Sequence, residues 1–264
     1  LAAAFNAQGF EIALHLNTNC AGYNLSTLQG FLSNELPLFN GNFPSIPAPT
    51  TNRTHCIAWT DWASKPKAEL QNGIRFNTDY YYWPGSWTLN RPGMFTGSGI
   101  PMRYADLDGT IIDNYQAATQ LTDETSANYT NFTNALLDKA VGTEGYYGAF
   151  CLNIHTDFNG PDTLSWNNAI IASAQARQIP VISAKQMLTW LDGRNNSSFS
   201  AMAWNGSSLN FTISTYAGAH KLQAMVPVNV SNGTLNAITR NSGAITYTTE
   251  IIKGINYAFF DAID

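Results

Sequence analysis

The chain contains, close to its start, the segment Gly9-Phe10-Glu11-Ile12-Ala13-Leu14-His15-Leu16-Asn17-Thr18-Asn19-Cys20. The apolar run from Ile12 to Leu14 predicts a buried strand, and the small polar residues after it predict a loop. His15 stands where the strand passes into the loop. In a (β/α) barrel, the side chains at the carboxyl ends of the strands face one pocket. The segment therefore predicts a barrel-type strand that presents a histidine to a functional site.

A second segment of the same design, Phe150-Cys151-Leu152-Asn153-Ile154-His155-Thr156-Asp157, occurs much later in the chain. Helices are predicted at 26–36, 65–72, 125–141, 164–178 and 184–191, and strands at 56–59, 74–82, 102–104, 150–154 and 180–183. The Pro-rich stretch 37–49 predicts a loop. Strands that alternate with helices indicate βαβ units and a mainly parallel sheet, open or closed as a barrel.

The pattern changes after residue 194. Segments 208–213, 221–226 and 245–249 alternate with period two, and Asn232-Gly233 and Ser242-Gly243 predict turns. We therefore expect an α/β domain at 1–194 and a small antiparallel β-sandwich-like domain at 199–264.

The composition excludes several classes of partner. Only 12% of the 264 residues are charged and the net charge is −5, whereas about 25% of the residues are charged in an ordinary domain. Duplex nucleic acid requires a basic face, which the sequence lacks. No apolar run approaches the roughly 20 residues of a membrane span. We expect a secreted or extracellular protein that meets neutral polymers, with no nucleic-acid partner and no membrane span.

Several residues that can perform chemistry follow predicted strands or loops. His15, His55 and His155 can meet at one face of a parallel barrel, because all the strands end at that face. Neutral imidazole binds zinc well, and a histidine held by a carboxylate can serve as a general acid. Arg53 either orients a carboxylate or binds an oxyanion with its planar guanidinium, or it forms a surface salt bridge. Asp79 is either a site carboxylate or a strand-end cap.

Aromatic residues are concentrated after Asp79 in the run Tyr80-Tyr81-Tyr82-Trp83. They supply buried core area or stack on sugar rings. The Pro, Gly and Ser residues around Trp83 and Trp87 favour a loop, which indicates sugar binding. The predicted substrate-binding residues are Trp59, Tyr80, Trp83 and Trp87.

The three cysteines are Cys20, Cys56 and Cys151, so at least one of them lies outside any internal disulfide. Cys20 and Cys56 are each close to a histidine segment, and a disulfide between these two loops is one alternative. Free buried cysteines are the other.

Taken in order, these segments resemble the polysaccharide deacetylase (NodB-homology) superfamily, whose fold is a distorted (β/α) barrel. The segment from Gly9 to Cys20 resembles the family's histidine-rich element, with His15 in the place of its first metal-binding histidine. Arg53 resembles the arginine of the next element, and Asp79 the acidic strand after it. His155 stands in the place of the general acid. The resemblance covers about residues 1–193.

The resemblance implies hydrolysis of the acetamide on an N-acetyl amino sugar polymer, with Zn²⁺ or another divalent metal. It implies that His155, Arg53 and Asp79 are catalytic and that His15, Asn19 and His55 bind the metal. Asn19 replaces the family's second metal-binding histidine, so either His55 substitutes for that ligand or the metal site has changed. The family's two-aspartate strand would precede Leu1, and we expect upstream structure to supply the catalytic base.

Two other functions are compatible with the same residues. The first is a non-catalytic carbohydrate-binding or adhesion module on a degenerate barrel, which the asparagine at position 19 favours. The second is a glycoside hydrolase that uses two carboxylates, such as Asp79 and Asp157.

Overall fold

A computed structural model describes residues 1–79, 99–122, 129–143, 145, 148–156, 161–231 and 233–262. Within these ranges the chain is mixed α/β and divides into two compact units, Leu1–Gln186 and Met187–Asp264. The helices are α1 (Ala2–Ala7), α2 (Leu25–Asn42), α3 (Ser64–Gln71), α4 (Tyr129–Val141), α5 (Pro161–Ala176) and α6 (Ala184–Asn195). The boundary between the units thus falls within α6, whereas the sequence prediction assigns all of 184–191 to the first domain.

The first unit holds short strands that lie between its helices. They are β1 (Thr51–Asn52), β2 (Phe76–Asn77), β3 (Met102–Ala105), β4 (Ile111–Gln116), β5 (Thr119–Thr122) and β6 (Cys151–Asn153). One sheet has the order β1-β2-β4-β3, in which β3 is the antiparallel edge strand and the other pairs are parallel. β5 and β6 form a separate parallel pair. The helices and these sheets confirm the mixed α/β class. The described sheets do not close into a barrel, and the distorted (β/α) barrel remains a prediction.

The segment at the start of the chain joins this sheet at one residue. Leu14 forms a parallel bridge with Asn52, which extends the sheet beyond β1. Leu14 and Leu16 are buried while His15 between them is exposed. Period-two alternation therefore directs the imidazole away from the core. The core cluster is Leu14, Leu16, Tyr23, Leu28, Leu32, Phe39, Ile46, Ala68 and Ile74.

Helix α2 is longer than the predicted helix at 26–36. It begins with a capping box in which the Asn24 side chain accepts from Thr27 N and the Thr27 side chain accepts from Asn24 N. It continues through Pro37 to Asn42, so the predicted loop at 37–49 is wrong over its first part. Phe39 is buried in the core, and this burial offsets the hydrogen bond that Pro37 cannot donate.

Two predicted strands are absent from the described structure. Residues 56–59 fall on a 3₁₀ turn, His55–Ile57, in which Cys56 has the left-handed φ of 57°. Residues 180–183 carry no strand pairing, and Val181 and Ile182 are 57% and 45% exposed. Their apolar side chains gave the pattern of a buried strand although they lie at the surface.

The second unit is built from antiparallel pairs. Its strands are β7 (Ser198–Trp204), β8 (Leu209–Ser214), β9 (Gln223–Pro227), β10 (Asn229–Val230), β11 (Gly233–Thr234), β12 (Ile238–Arg240), β13 (Gly243–Ile245), β14 (Thr248–Ile252) and β15 (Ile255–Asp261). β14-β15-β9 form a three-stranded sheet, and the other strands pair as hairpins. The antiparallel prediction is confirmed.

Candidate functional site

The predicted site residues follow the carboxyl ends of parallel-paired residues. His15 follows the bridge residue Leu14, Arg53 and His55 follow β1, Asp79 follows β2, and His155 follows β6. The carboxyl ends of neighbouring parallel strands lie at one edge of a sheet. Backbone bonds hold the segments together there, because His55 N donates to Leu16 O at 2.8 Å and Thr78 N donates to Asn52 O at 3.2 Å.

The imidazoles of His15 and His55 meet edge to face, with ring centroids 5.5 Å apart and an interplanar angle of 88°. His15 Nδ1 lies 2.8 Å from the Arg53 carbonyl oxygen. A carbonyl oxygen only accepts, so we assign the proton to Nδ1, and Nε2 keeps its lone pair. Partial burial lowers the pKa of His15 below 6.5, and the neighbouring His55 lowers it further. The ring is thus kept in the neutral form that binds metals.

The Arg53 side chain links residues at the ends of three strands. Its Nη1 donates to Thr78 O at 2.6 Å and to Thr119 Oγ1 at 2.7 Å. Thr119 Oγ1 in turn donates to Thr78 O at 2.8 Å. The guanidinium therefore holds β5 against the ends of β1 and β2, in place of the surface salt bridge that was the alternative interpretation. The carbonyl group of the same residue fixes the His15 ring.

Asp79 is 1% exposed and contacts the segment that carries Arg53 and His55. Its Oδ1 accepts from Thr54 N at 2.6 Å, and its Oδ2 pairs with Lys65 Nζ. Lys65 also donates to Thr54 Oγ1. Both carboxylate oxygens are thus used to position Thr54, which stands between Arg53 and His55. This geometry indicates that Asp79 positions Thr54 and the two residues beside it.

A second buried carboxylate, Glu69, was missed by the sequence interpretation. Asn52 donates to its Oε1 at 2.9 Å, and Asn77 and Asn114 donate to its Oε2 at 2.9 and 3.1 Å. Burial raises the pKa of Glu69 to about 7, although Lys65 nearby opposes the increase. Lys65 and Glu69 are four residues apart on α3, and an i, i+4 pair of opposite charge is a signal that the sequence did contain.

Cys20 and Cys56 form a disulfide with a Cα–Cα distance of 5.3 Å, so the first of the two alternatives for these cysteines holds. The bond joins the loop after His15 to the turn that contains His55. Cys151 is not in a disulfide. Its thiol makes hydrogen bonds with Thr119 and Thr78, and burial raises the pKa of this thiol.

The contacts of the nearby side chains show which of them are suitable as zinc ligands. The sulfurs of Cys20 and Cys56 lie near His55, but in a disulfide they are not thiolates. Asn19 is exposed and its backbone N–H donates to Asn17 Oδ1 at 2.8 Å. The described residues therefore offer His15 and His55 as suitable nitrogen ligands. Zinc sites need three or four protein ligands, so a zinc site here requires at least one ligand in addition to His15 and His55.

The remaining predicted residues differ in how far the structure describes them. Trp59 stacks on Tyr104 with centroids 5.7 Å apart, and Lys65 Nζ lies 5.7 Å from its ring centroid. His155 is half-buried and follows β6, which pairs with β5 through Thr119 and Cys151. The other predicted substrate-binding residues and the second carboxylate of the glycoside hydrolase alternative fall outside the described residues: Tyr80, Trp83, Trp87 and Asp157.

An open cleft of about 690 Å³ runs past this edge of the first unit. His15, Arg53 and Thr78 contribute to it, together with the apolar side chains of Phe10 and Val181. Glu11 is the acidic member of its described lining, and its oxygens accept from Thr51 Oγ1 and Lys185 N. The cleft is large enough to take a sugar unit beside His15.

The chain matches no known protein-family model and no curated protein sequence. Among the described residues, no helix combines the length and the apolar character needed to cross a membrane. The function therefore has to be argued from the site itself.

Proposed function

We propose that this chain is a carbohydrate deacetylase-like domain related to the polysaccharide deacetylase (NodB-homology) superfamily. In the complete protein it would take part in the metal-dependent hydrolysis of acetamide groups on an N-acetyl amino sugar polymer. One observation carries the proposal: the rings of His15 and His55, far apart in sequence, meet at 5.5 Å beside the cleft. His15 also donates to a backbone carbonyl, which is the outer contact that metal-binding histidines commonly make.

The residues of the chain take distinct parts in this proposal. His15 and His55 would hold Zn²⁺ or another divalent metal, and the reaction would need a further metal ligand and a carboxylate base in addition to these two residues. The bound metal would polarise the substrate carbonyl and lower the pKa of water at the site. Arg53 fixes the His15 ring, and the ion pair between Asp79 and Lys65 fixes Thr54 next to it. His155 donates a proton to the departing amine.

The cleft and the composition of the chain support a carbohydrate substrate. Phe10 and Val181 give the cleft an apolar surface, which suits the faces of sugar rings. We propose that Tyr80, Trp83 and Trp87 add stacking surfaces and that the partner is a neutral carbohydrate polymer. The exposed disulfide between Cys20 and Cys56 supports a secreted or extracellular location.

The first experiment measures metal binding by the chain itself. Calorimetric titration with Zn²⁺ is expected to show one site in the wild type, weakened more than about tenfold in His15→Ala and in His55→Ala. His220→Ala changes a histidine of the second unit and is the matched control. Equal Zn²⁺ affinity in all four proteins would contradict the assigned ligands.

The second experiment measures chemistry. A longer protein that includes the upstream residues is incubated with acetylated chito-oligosaccharides, and released acetate is quantified with and without a chelator. We expect acetate release that the chelator abolishes and that His155→Ala reduces by about 10² to 10⁴-fold, the range for loss of a general acid. No release from a Zn²⁺-loaded longer protein would rule out the deacetylase proposal.

A non-catalytic carbohydrate-binding or adhesion module is the second candidate. It is favoured by the burial of Asp79, whose oxygens are occupied by Lys65 and Thr54, and by Asn19 at the place of a metal-binding histidine. Glycan binding that is unaffected by chelators, with no acetate release, would identify this function. The same burial of Asp79 weighs against a glycoside hydrolase, in which both carboxyl groups must reach the substrate.

A further inference from the structure

Three side chains that bind soft metals converge at the disulfide between the two histidine loops. Cys20, His55 and Cys56 each offer one ligand atom, and these atoms all lie within 4.8 Å of one another. All three residues are exposed to solvent. While the sulfurs are bonded to each other they are not thiolates and cannot serve as ligands in the usual way.

We propose that reduction of the Cys20–Cys56 disulfide creates a zinc site made of Cys20, Cys56 and His55. A dithiol supplies the two electrons: the Sγ–Sγ bond breaks, the dithiol closes to its own disulfide, and its two protons pass to the cysteine sulfurs. Zn²⁺ then displaces both protons as it binds. Two thiolates and one imidazole form a known three-ligand zinc set that leaves the fourth position open.

Backbone hydrogen bonds that do not involve the disulfide are present in both ligand segments. His55 N donates to Leu16 O at 2.8 Å, which joins the turn of His55 and Cys56 to the first histidine segment, and Ala21 N donates to Thr18 O at 3.1 Å within the loop that carries Cys20. Cys20 and Cys56 both have left-handed φ values, 56° and 57°, which are uncommon for residues with a Cβ. Exposed disulfides are the ones that exchange readily with dithiols, and this one is open to both reductant and metal.

The site differs from the histidine pair of the proposed function, because its sulfur ligands exist only after reduction. The test uses the 264-residue chain in two forms, oxidised and reduced by a dithiol bound to a resin that is then filtered off. Co²⁺ is the probe, since thiolate ligands give it an intense near-ultraviolet charge-transfer absorption. We expect one Co²⁺ per reduced chain with this absorption, displaced by Zn²⁺, and no such absorption from the oxidised chain.

Variants separate this site from its alternatives. Cys151→Ser and His15→Ala are expected to keep the thiolate absorption after reduction, whereas Cys56→Ser and His55→Ala weaken Co²⁺ binding by more than about tenfold. Loss of the absorption in Cys151→Ser or in His15→Ala would overturn the ligand set. The proposed function fails separately, when the oxidised chain binds no metal through His15.

A second measurement tests the proposal in case the chain loses part of its fold on reduction. Zn²⁺ should raise the melting temperature of the reduced wild type and leave that of the Cys20→Ser/Cys56→Ser double variant unchanged, because a ligand stabilises only the protein that binds it. A reduced wild type with neither the absorption nor this stabilisation overturns the proposal.

Discussion

Lys65 and Asp79 form an ion pair from which solvent is excluded, with side chains 1% and 0% exposed. Both partners contact Thr54, which lies between Arg53 and His55 in the sequence. The pair therefore links the buried polar network to the candidate site. Glu69, the other carboxylate of the network, accepts hydrogen bonds from the side chains of Asn52, Asn77 and Asn114.

Removal of the buried cation should destabilise the protein strongly. Lys65→Met leaves Asp79 charged and buried without its partner, which costs about 3–5 kcal/mol in the free energy of unfolding. Urea unfolding followed by circular dichroism measures it. Lys67→Met is the matched control, since the pair of Lys67 with Asp106 lies nearer the surface and is screened by water. Equal stability of the two variants would contradict a structural role for the Lys65–Asp79 pair.

The raised pKa of Glu69 predicts a loss of stability as the pH increases. The unfolded chain releases this proton near pH 4.5 and the folded chain near pH 7. The folded state therefore holds more protons between these values, and the free energy of unfolding falls as the pH rises from 4.5 to about 7. A single proton contributes a slope of at most about 1.4 kcal/mol per pH unit.

Glu69→Gln should remove that contribution from the pH dependence, whatever it does to absolute stability. Urea unfolding at a series of pH values gives the slope for each protein. Glu35→Gln replaces a half-buried carboxyl on α2, which accepts from Asn17 N, and is the matched substitution. If Glu69→Gln retains the full wild-type slope, the excess proton of the folded state resides on another group.

The neighbouring rings predict that the titration of His15 depends on the presence of His55. Partial burial is the main cause of the lowered pKa of His15, and charge repulsion from His55 adds to it. His55→Ala should therefore raise the pKa of His15 part of the way towards 6.5. Nuclear magnetic resonance of the imidazole protons measures this. His220→Ala should leave the His15 titration unchanged, and an unchanged titration in His55→Ala would show that the rings do not face each other.

The sequence predicts most of the elements that place the site, and it fails where tertiary contacts overrule local pattern. Alternation of Leu14 and Leu16 around His15 is local, so the outward direction of the imidazole could be predicted. The turn at Cys56 could not, because the local apolar pattern does not show its left-handed backbone, although the bond to Cys20, 36 residues away in sequence, is one of the two alternatives for these cysteines. The burial of Asp79 depends on Lys65 from α3, and no local pattern around Asp79 shows that partner.

Removal of the disulfide should lower stability through the unfolded state. The bond closes a loop with a sequence separation of 36, and the chain-entropy model gives a stabilisation of about 4 kcal/mol for a loop of this length. The Cys20→Ser/Cys56→Ser double variant should therefore unfold at lower urea concentration than the oxidised wild type. In metal-free buffer, a reductant should bring the wild type close to the double variant, which itself should not respond. A double variant as stable as the oxidised wild type would mean that the two histidine loops are held by their backbone bonds alone, and the His15–His55 pair would then not need the covalent link.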